Sequence, residues 1–202
     1  MSTSQPWLKK NHVNAAQKRQ KSFCIFTEGK TEKIYFNDFD LANVEVRCLG
    51  GGGVLHLVAE AKIYMKQSKY SGYDYYWLVF DKDNNSAEDI QQAISIAEKC
   101  KISWCFSNPC FEIWFLLHFD YFHSPTTPED LKERLVPRRI PGYTENMRGI
   151  FDLLKDKQIV AVNYSKKLWP LDERSSQAKQ LRDIYPATNA DALVGMLNDC
   201  NE

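Results

Sequence analysis

The stretch SFCIFTEGKTEKIYF, residues 22–36, decides the fold. Its first six residues, SFCIFT, form a short apolar run that reads as a buried strand. Glu28-Gly29 ends the run with a charge and a residue that lets the backbone turn sharply. From Thr31 to Asp40 the residues Ile34, Tyr35, Phe36 and Phe39 make a helical stripe. A strand leading directly into a helix is the first half of a parallel, right-handed crossover unit.

The pattern then repeats along the chain. Residues 44–49 read as a second strand, closed by the four glycines 50–53, and residues 54–67 as an amphipathic helix. YYWLVF, residues 75–80, is the most strand-like run of all, aromatic and β-branched. Residues 85–100 follow as a helix with Ile90, Ala93, Ile94 and Ala97 on one face, and ISWCF, residues 102–106, is a fourth strand. Asn108 then reads as an N-cap with Pro109 in the first turn of an apolar helix through 111–119. From Asp120 onward only helices are expected, over 128–135, 144–156, 166–183 and 189–199, with PRRIPGY (137–143) as a basic, proline-bounded loop. The expected architecture is α/β, a mostly parallel sheet flanked by helices. Residues 1–21 form a basic flexible tail, 22–120 the α/β domain, and 121–202 a helical part packed on that same domain.

Composition limits the alternatives. The 202 residues are 44% hydrophobic and 26% charged, which sets aside disordered, collagen-like and low-complexity chains. The 26 Lys+Arg balance 26 Asp+Glu, but Lys9, Lys10, Lys18, Arg19 and Lys21 put +5 in the first 21 residues, leaving −5 elsewhere. A neutral total therefore does not exclude an anionic partner. No apolar run approaches the ~18 residues a bilayer span needs, and no secretory segment is recognised, so a cytoplasmic, membrane-free protein is expected. The six cysteines are scattered singly and read as reduced, buried thiols.

Ligands of open α/β sheets bind outside the carboxyl ends of the strands, so those ends carry the chemistry. Strand one ends at Glu28, strand two at Gly50–Gly53, strand three at Asp81-Lys82-Asp83 and strand four at Ser107-Asn108. Glu28, Asp81 and Asp83 suit a hard cation such as Mg²⁺, which takes a few carboxylate oxygens and borrows substrate phosphate. Glu32, one helical turn past Glu28, leans over the same edge. Each acid can alternatively serve as a helix cap. Gly51 and Gly52 can bring backbone N–H groups to a phosphate, or simply provide a flexible connection. Lys30, Lys33 and Lys82 are candidate phosphate contacts, as are Arg138 and Arg139, one of several basic pairs near aromatics on the helical side. Glu112, a carboxylate on an otherwise apolar helix, needs a cation, a capping partner or a metal, and His118 on that helix reads as a satisfied or solvent-facing histidine.

The blocks FTEGKTEKIYF (26–36), VFDKD (79–83) and SNPCFEIWFLLHF (107–119) resemble the RloB-like family in kind and order, with the third block the most specific. Weaker similarity runs from Pro186-Ala187-Thr188-Asn189 to Leu197. The resemblance implies a Toprim-like fold, in which Glu28 matches the strand-end glutamate, Asp81 and Asp83 the Asp-x-Asp pair that binds Mg²⁺ or Mn²⁺, and Glu32 the second acid. It further implies metal-dependent phosphodiester hydrolysis in phage defence, on nucleic acid, with RNA such as tRNA favoured over DNA by the defence relatives. An ATPase partner encoded nearby and a homodimer are the assemblies kept in view. The competing expectation is a non-catalytic regulator or adaptor for that ATPase, and a weaker one is a nucleotide-binding enzyme using the glycine loop.

Overall fold

The computed structural model describes residues 20–67, 69–82, 85–171, 174 and 185–200. Its strands are β1 Phe23–Thr27, β2 Val44–Cys48, β3 Tyr75–Asp81, β4 Ser103–Asn108 and β5 Ala187–Thr188. They form one sheet in the order β2-β1-β3-β4-β5, parallel except for β5, which runs antiparallel to β4. The helices are α1 Lys30–Asn37, α2 Gly53–Met65, α3 Ala87–Lys99 and α4 Glu112–Leu117. A continuous helical stretch over 128–139 follows, here α5, whose middle residues Leu131–Leu135 are π-wound. After it come α6 Ile150–Leu154, a 3-10 turn at Lys155–Lys157, α7 Gln158–Leu168 and α8 Ala190–Asn198.

Strand residues alternate between two cores. Phe23 and Ile25, Trp77 and Val79, and Cys105 face one core, shared with α1, α4 and the second-half helices. Cys24 and Phe26, Leu78 and Phe80, and Phe106 face the other, against Val54, Leu57 and Val58 of α2 and Ile90, Ala93 and Ile94 of α3. Because both faces are covered, β1 is buried at every position and its sequence shows an unbroken apolar run instead of alternation. Each large side chain buried this way contributes about 1.5–3 kcal/mol.

The helix assignments locate the ligand crevice. α1 joins β1 to β2 across the first face, whereas α2 and α3 cross the second. The winding therefore reverses between the adjacent strands β1 and β3, and the carboxyl ends of such strands leave a crevice between them. Glu28 and Asp81 stand at those two ends.

The α/β class and the four parallel strands agree with the sequence reading, and several local expectations do not. Asn108 is not an N-cap: it is still in the sheet ladder opposite Ala187, and α4 begins four residues later. The basic loop 137–143 is partly helical, since Val136–Arg139 continues α5. The π-wound turn ends at Leu135, two residues before Pro137, whose ring and missing N–H do not suit an ordinary α register. The helix expected over 144–156 begins only at Ile150, because Asn146 and Gly149 take left-handed φ values of 63° and 72°. The helix expected over 166–183 is interrupted after Leu168, where Trp169 turns extended before Pro170, and the described Leu171 and Arg174 are helical again. Its residues 172, 173 and 175–184, like 1–19 of the basic tail, lie outside the described residues. The second half also contains a strand, β5, held by Ser107↔Thr188 and Asn108↔Ala187; two residues are too few for a periodicity to reveal. No helix among the described residues is long and apolar enough to cross a membrane.

Candidate active site

Glu28 continues β1 by one residue, its N–H donating to the Val79 carbonyl at 2.9 Å. Its carboxylate is positioned by Asn85, a buried residue with three tasks. Asn85 Nδ2 donates to Glu28 Oε2 at 3.1 Å and to the Asp81 carbonyl at 2.9 Å, while its Oδ1 accepts from Val54 N–H at 2.8 Å. One amide thus ties together the ends of β1 and β3 and the start of α2. The glycine loop is part of the same arrangement. A Cβ on Gly50 would meet the Glu28 carbonyl at 2.5 Å, so this glycine permits the loop to pass directly against Glu28.

Glu32 belongs to the buried stripe of α1 with Tyr35 and Phe36, one turn toward the sheet's carboxyl edge. Its carboxylate folds back over Gly29, where a Cβ would lie 2.3 Å from Glu32 Oε2. Asp81 ends β3, accepts a hydrogen bond from the Phe111 N–H, and has a buried Oδ1 with no hydrogen-bond partner among the described residues. Glu112 opens α4, and Tyr143 Oη donates to its Oε1 at 2.8 Å. Glu28, Glu32, Asp81 and Glu112 all line one cleft of about 210 Å³. Lys132 and Glu145, from the second half of the chain, line it too, paired Nζ to Oε1 at 2.7 Å.

The crowding shows in proton affinities. Burial pushes the Glu32 carboxyl up to about 7, with the charges of Glu112 and Glu28 adding to the effect against its own backbone N–H and Lys132. Burial, followed by Glu32, Glu112 and Glu28, holds Asp81 well above the usual carboxylate range. Burial lowers the affinity of Lys132 for its proton, but Glu145 and Glu112 more than offset this and the net shift is upward, so it remains an ammonium.

An all-oxygen donor set, an orphaned buried oxygen on Asp81 and mutual repulsion among acids fit a hard divalent cation. Among the described residues, no three His, Cys, Asp or Glu side chains stand grouped as a ready-made metal cage. Asp83, expected as a ligand, lies outside the described residues.

Of the other sequence candidates, Lys30 lines the cleft with an exposed side chain. Lys82 instead donates to the Asn85 carbonyl. Gly51 and Gly52 lie exposed before α2, and neither they nor Asn108, buried in β4, are part of the cleft lining. Arg138 is exposed at the end of α5, away from the lining, and Arg139 is engaged by Asp120 through two bonds of 2.6 and 2.7 Å. Other basic residues near aromatics also find internal partners: Lys157 lies 4.0 Å above the Phe119 ring and Lys167 4.1 Å above Tyr121. His118 is buried, with Nδ1 2.8 Å from the Trp114 carbonyl, and burial lowers it to about 4; it is a neutral packing residue. Asn85, Lys132 and Tyr143 escaped the sequence reading because nothing local distinguishes them. Each acquires its role chiefly from partners outside its own segment: Glu28 and Val54 for Asn85, Glu145 for Lys132 and Glu112 for Tyr143.

A family model described as RloB-like protein matches residues 23–197. Comparison with curated proteins and with solved structures finds no match.

Proposed function

Because this chain belongs to the RloB-like family, we propose that it is a divalent-cation-dependent nuclease acting in phage defence, with a Toprim-like α/β domain. The observation that carries the reading is the convergence of Glu28, Glu32, Asp81 and Glu112 on one cleft at the switch point of the sheet. Glu28, Asp81 and Asp83 would hold Mg²⁺ or Mn²⁺. When bound, such an ion stabilises charge developing on a phosphodiester and makes a water more acidic. The protein's own groups have separate tasks. Asn85 orients the Glu28 carboxylate, and Tyr143 fixes Glu112. Glu32, with a proton affinity near neutrality, can hold or accept a proton at its carboxyl oxygen. RNA such as tRNA is the preferred substrate over DNA, a preference drawn from the family's defence setting.

The test is cleavage of end-labelled RNA and DNA with Mg²⁺ or Mn²⁺. Asp81→Asn and Glu28→Gln should each lose about a hundredfold or more of the rate while keeping the wild-type melting transition. Undiminished cleavage in both would sink the reading.

A second reading, an adaptor for an ATPase partner, draws on the exposed apolar side chains Leu153, Ile159 and Leu171 of the second half. Stable ATPase binding by a protein that cleaves no nucleic acid with either cation would favour it.

A further inference from the structure

Every contributor to the cleft from the sheet side that is charged and buried is an acid, yet a phosphodiester is an anion. Two lysines line the cleft: Lys30, which is exposed, and the half-buried Lys132, which comes from the other half of the chain. Lys132 lies in the π-wound turn of α5, and such turns inside helices occur frequently at functional sites. Its ammonium is paired with Glu145 and shares the cleft with Glu112 and Glu32. Glu112 and Glu145 both act on it electrostatically, and it in turn acts on Glu32.

The two ends of the Lys132–Glu145 pair are unequal. The Lys132 side chain is 27% exposed and rooted in a helix; the Glu145 side chain is 54% exposed and comes from the segment after α5. The neighbouring Asn146 N–H donates to Thr31 Oγ1 at 3.2 Å, which keeps this segment beside the start of α1 and at the cleft mouth. An exposed pair of this kind contributes little to stability. A phosphate oxygen, by contrast, makes a short, charge-assisted bond to an ammonium.

We propose that Lys132 is the protein's seat for the substrate phosphate, and that Glu145 is a surrogate anion which the phosphate displaces. The proposal rests on the phosphodiester reading of the cleft and adds to it a residue from the second half of the chain. Lys132 touches the substrate; Glu145 regulates access by competing for the same ammonium. The second half is thereby part of the site, and α/β domain residues alone do not complete it.

The experiment is a titration of the full chain with inorganic phosphate, followed by amide and Lys side-chain NMR shifts, run with and without Ca²⁺. Wild-type protein should show saturable shifts at Lys132, Glu145 and Asn146. Glu145→Gln, which removes the competing charge, should bind phosphate about threefold more tightly. Lys132→Met should bind it about tenfold or more weakly, and Lys132→Arg should recover part of the loss. Retained amide dispersion in each variant separates these effects from unfolding. Equal phosphate binding by wild type and Lys132→Met, or no phosphate-dependent shift at Lys132 in either condition, would overturn the proposal. Failure of the nuclease reading would appear elsewhere: phosphate seated on Lys132 in a protein that cleaves nothing leaves the seat standing and removes the hydrolysis.

Discussion

Glu32 is a carboxylate on the buried face of α1, and its proton affinity makes a testable statement about stability. Its acid form is favoured in the folded protein, so folding is helped below its ordinary titration range near 4.5. That contribution is lost as pH rises through about 7. Without divalent cation, Glu32→Gln should therefore be more stable than wild type at pH 8, by on the order of 2 kcal/mol, with the gap closing toward pH 5. Chemical denaturation at the two pH values checks this; a gap that is equal at both would contradict it. Gly29 gives a complementary test. In Gly29→Ala the new methyl meets only the end of the Glu32 side chain, so Glu32 must move while the backbone stays. Activity should fall about tenfold or more with a stability change below about 1 kcal/mol, read from kcat and a thermal melt side by side. At this scale the sequence was partly legible. Glu28 and Asp81 announce themselves as acids at the ends of apolar runs. The burial of Glu32 and the Tyr143 partner of Glu112 do not, because Glu32 shares its cleft with Asp81 and Glu112 from distant elements and Tyr143 lies 31 residues from Glu112.

The elements around the cleft are joined by close backbone approach. Gly50, between β2 and α2, lies against the backbone carbonyl of Glu28, which cannot rotate away as a side chain can. Gly50→Ala should cost about 1–3 kcal/mol in urea unfolding, unlike Gly29→Ala, and an unchanged midpoint would show that the loop is not pressed against β1 as described. The four parallel strands and α1 to α3 were legible because an apolar run bounded by turn residues and followed by a 3.6-period stripe has few other solutions. The second half was less legible for physical reasons. A π-wound turn ahead of Pro137 keeps a helix going where a proline suggests a loop, and left-handed backbone at Asn146 and Gly149 stops one where the periodicity continues. β5 is two residues long and owes its place to the end of β4.

For the whole molecule, the equality of 26 basic and 26 acidic residues conceals a specific distribution. Five acids, Glu28, Glu32, Asp81, Glu112 and Glu145, share one cleft at the reversal of the sheet with Lys30 and with Lys132 from the second half of the chain. Net charge therefore says little about whether an anion is bound; the location of the charges does. In the proposed site the carboxylates at the ends of β1 and β3 bind one divalent ion together. A crystal structure of the protein with Mn²⁺, examined for anomalous scattering, tests it most directly. The expected result is a manganese peak ligated by both Glu28 and Asp81, with Glu28 still held by Asn85. A well-occupied cleft site that excludes either carboxylate, or no peak in the cleft at millimolar Mn²⁺, would contradict it.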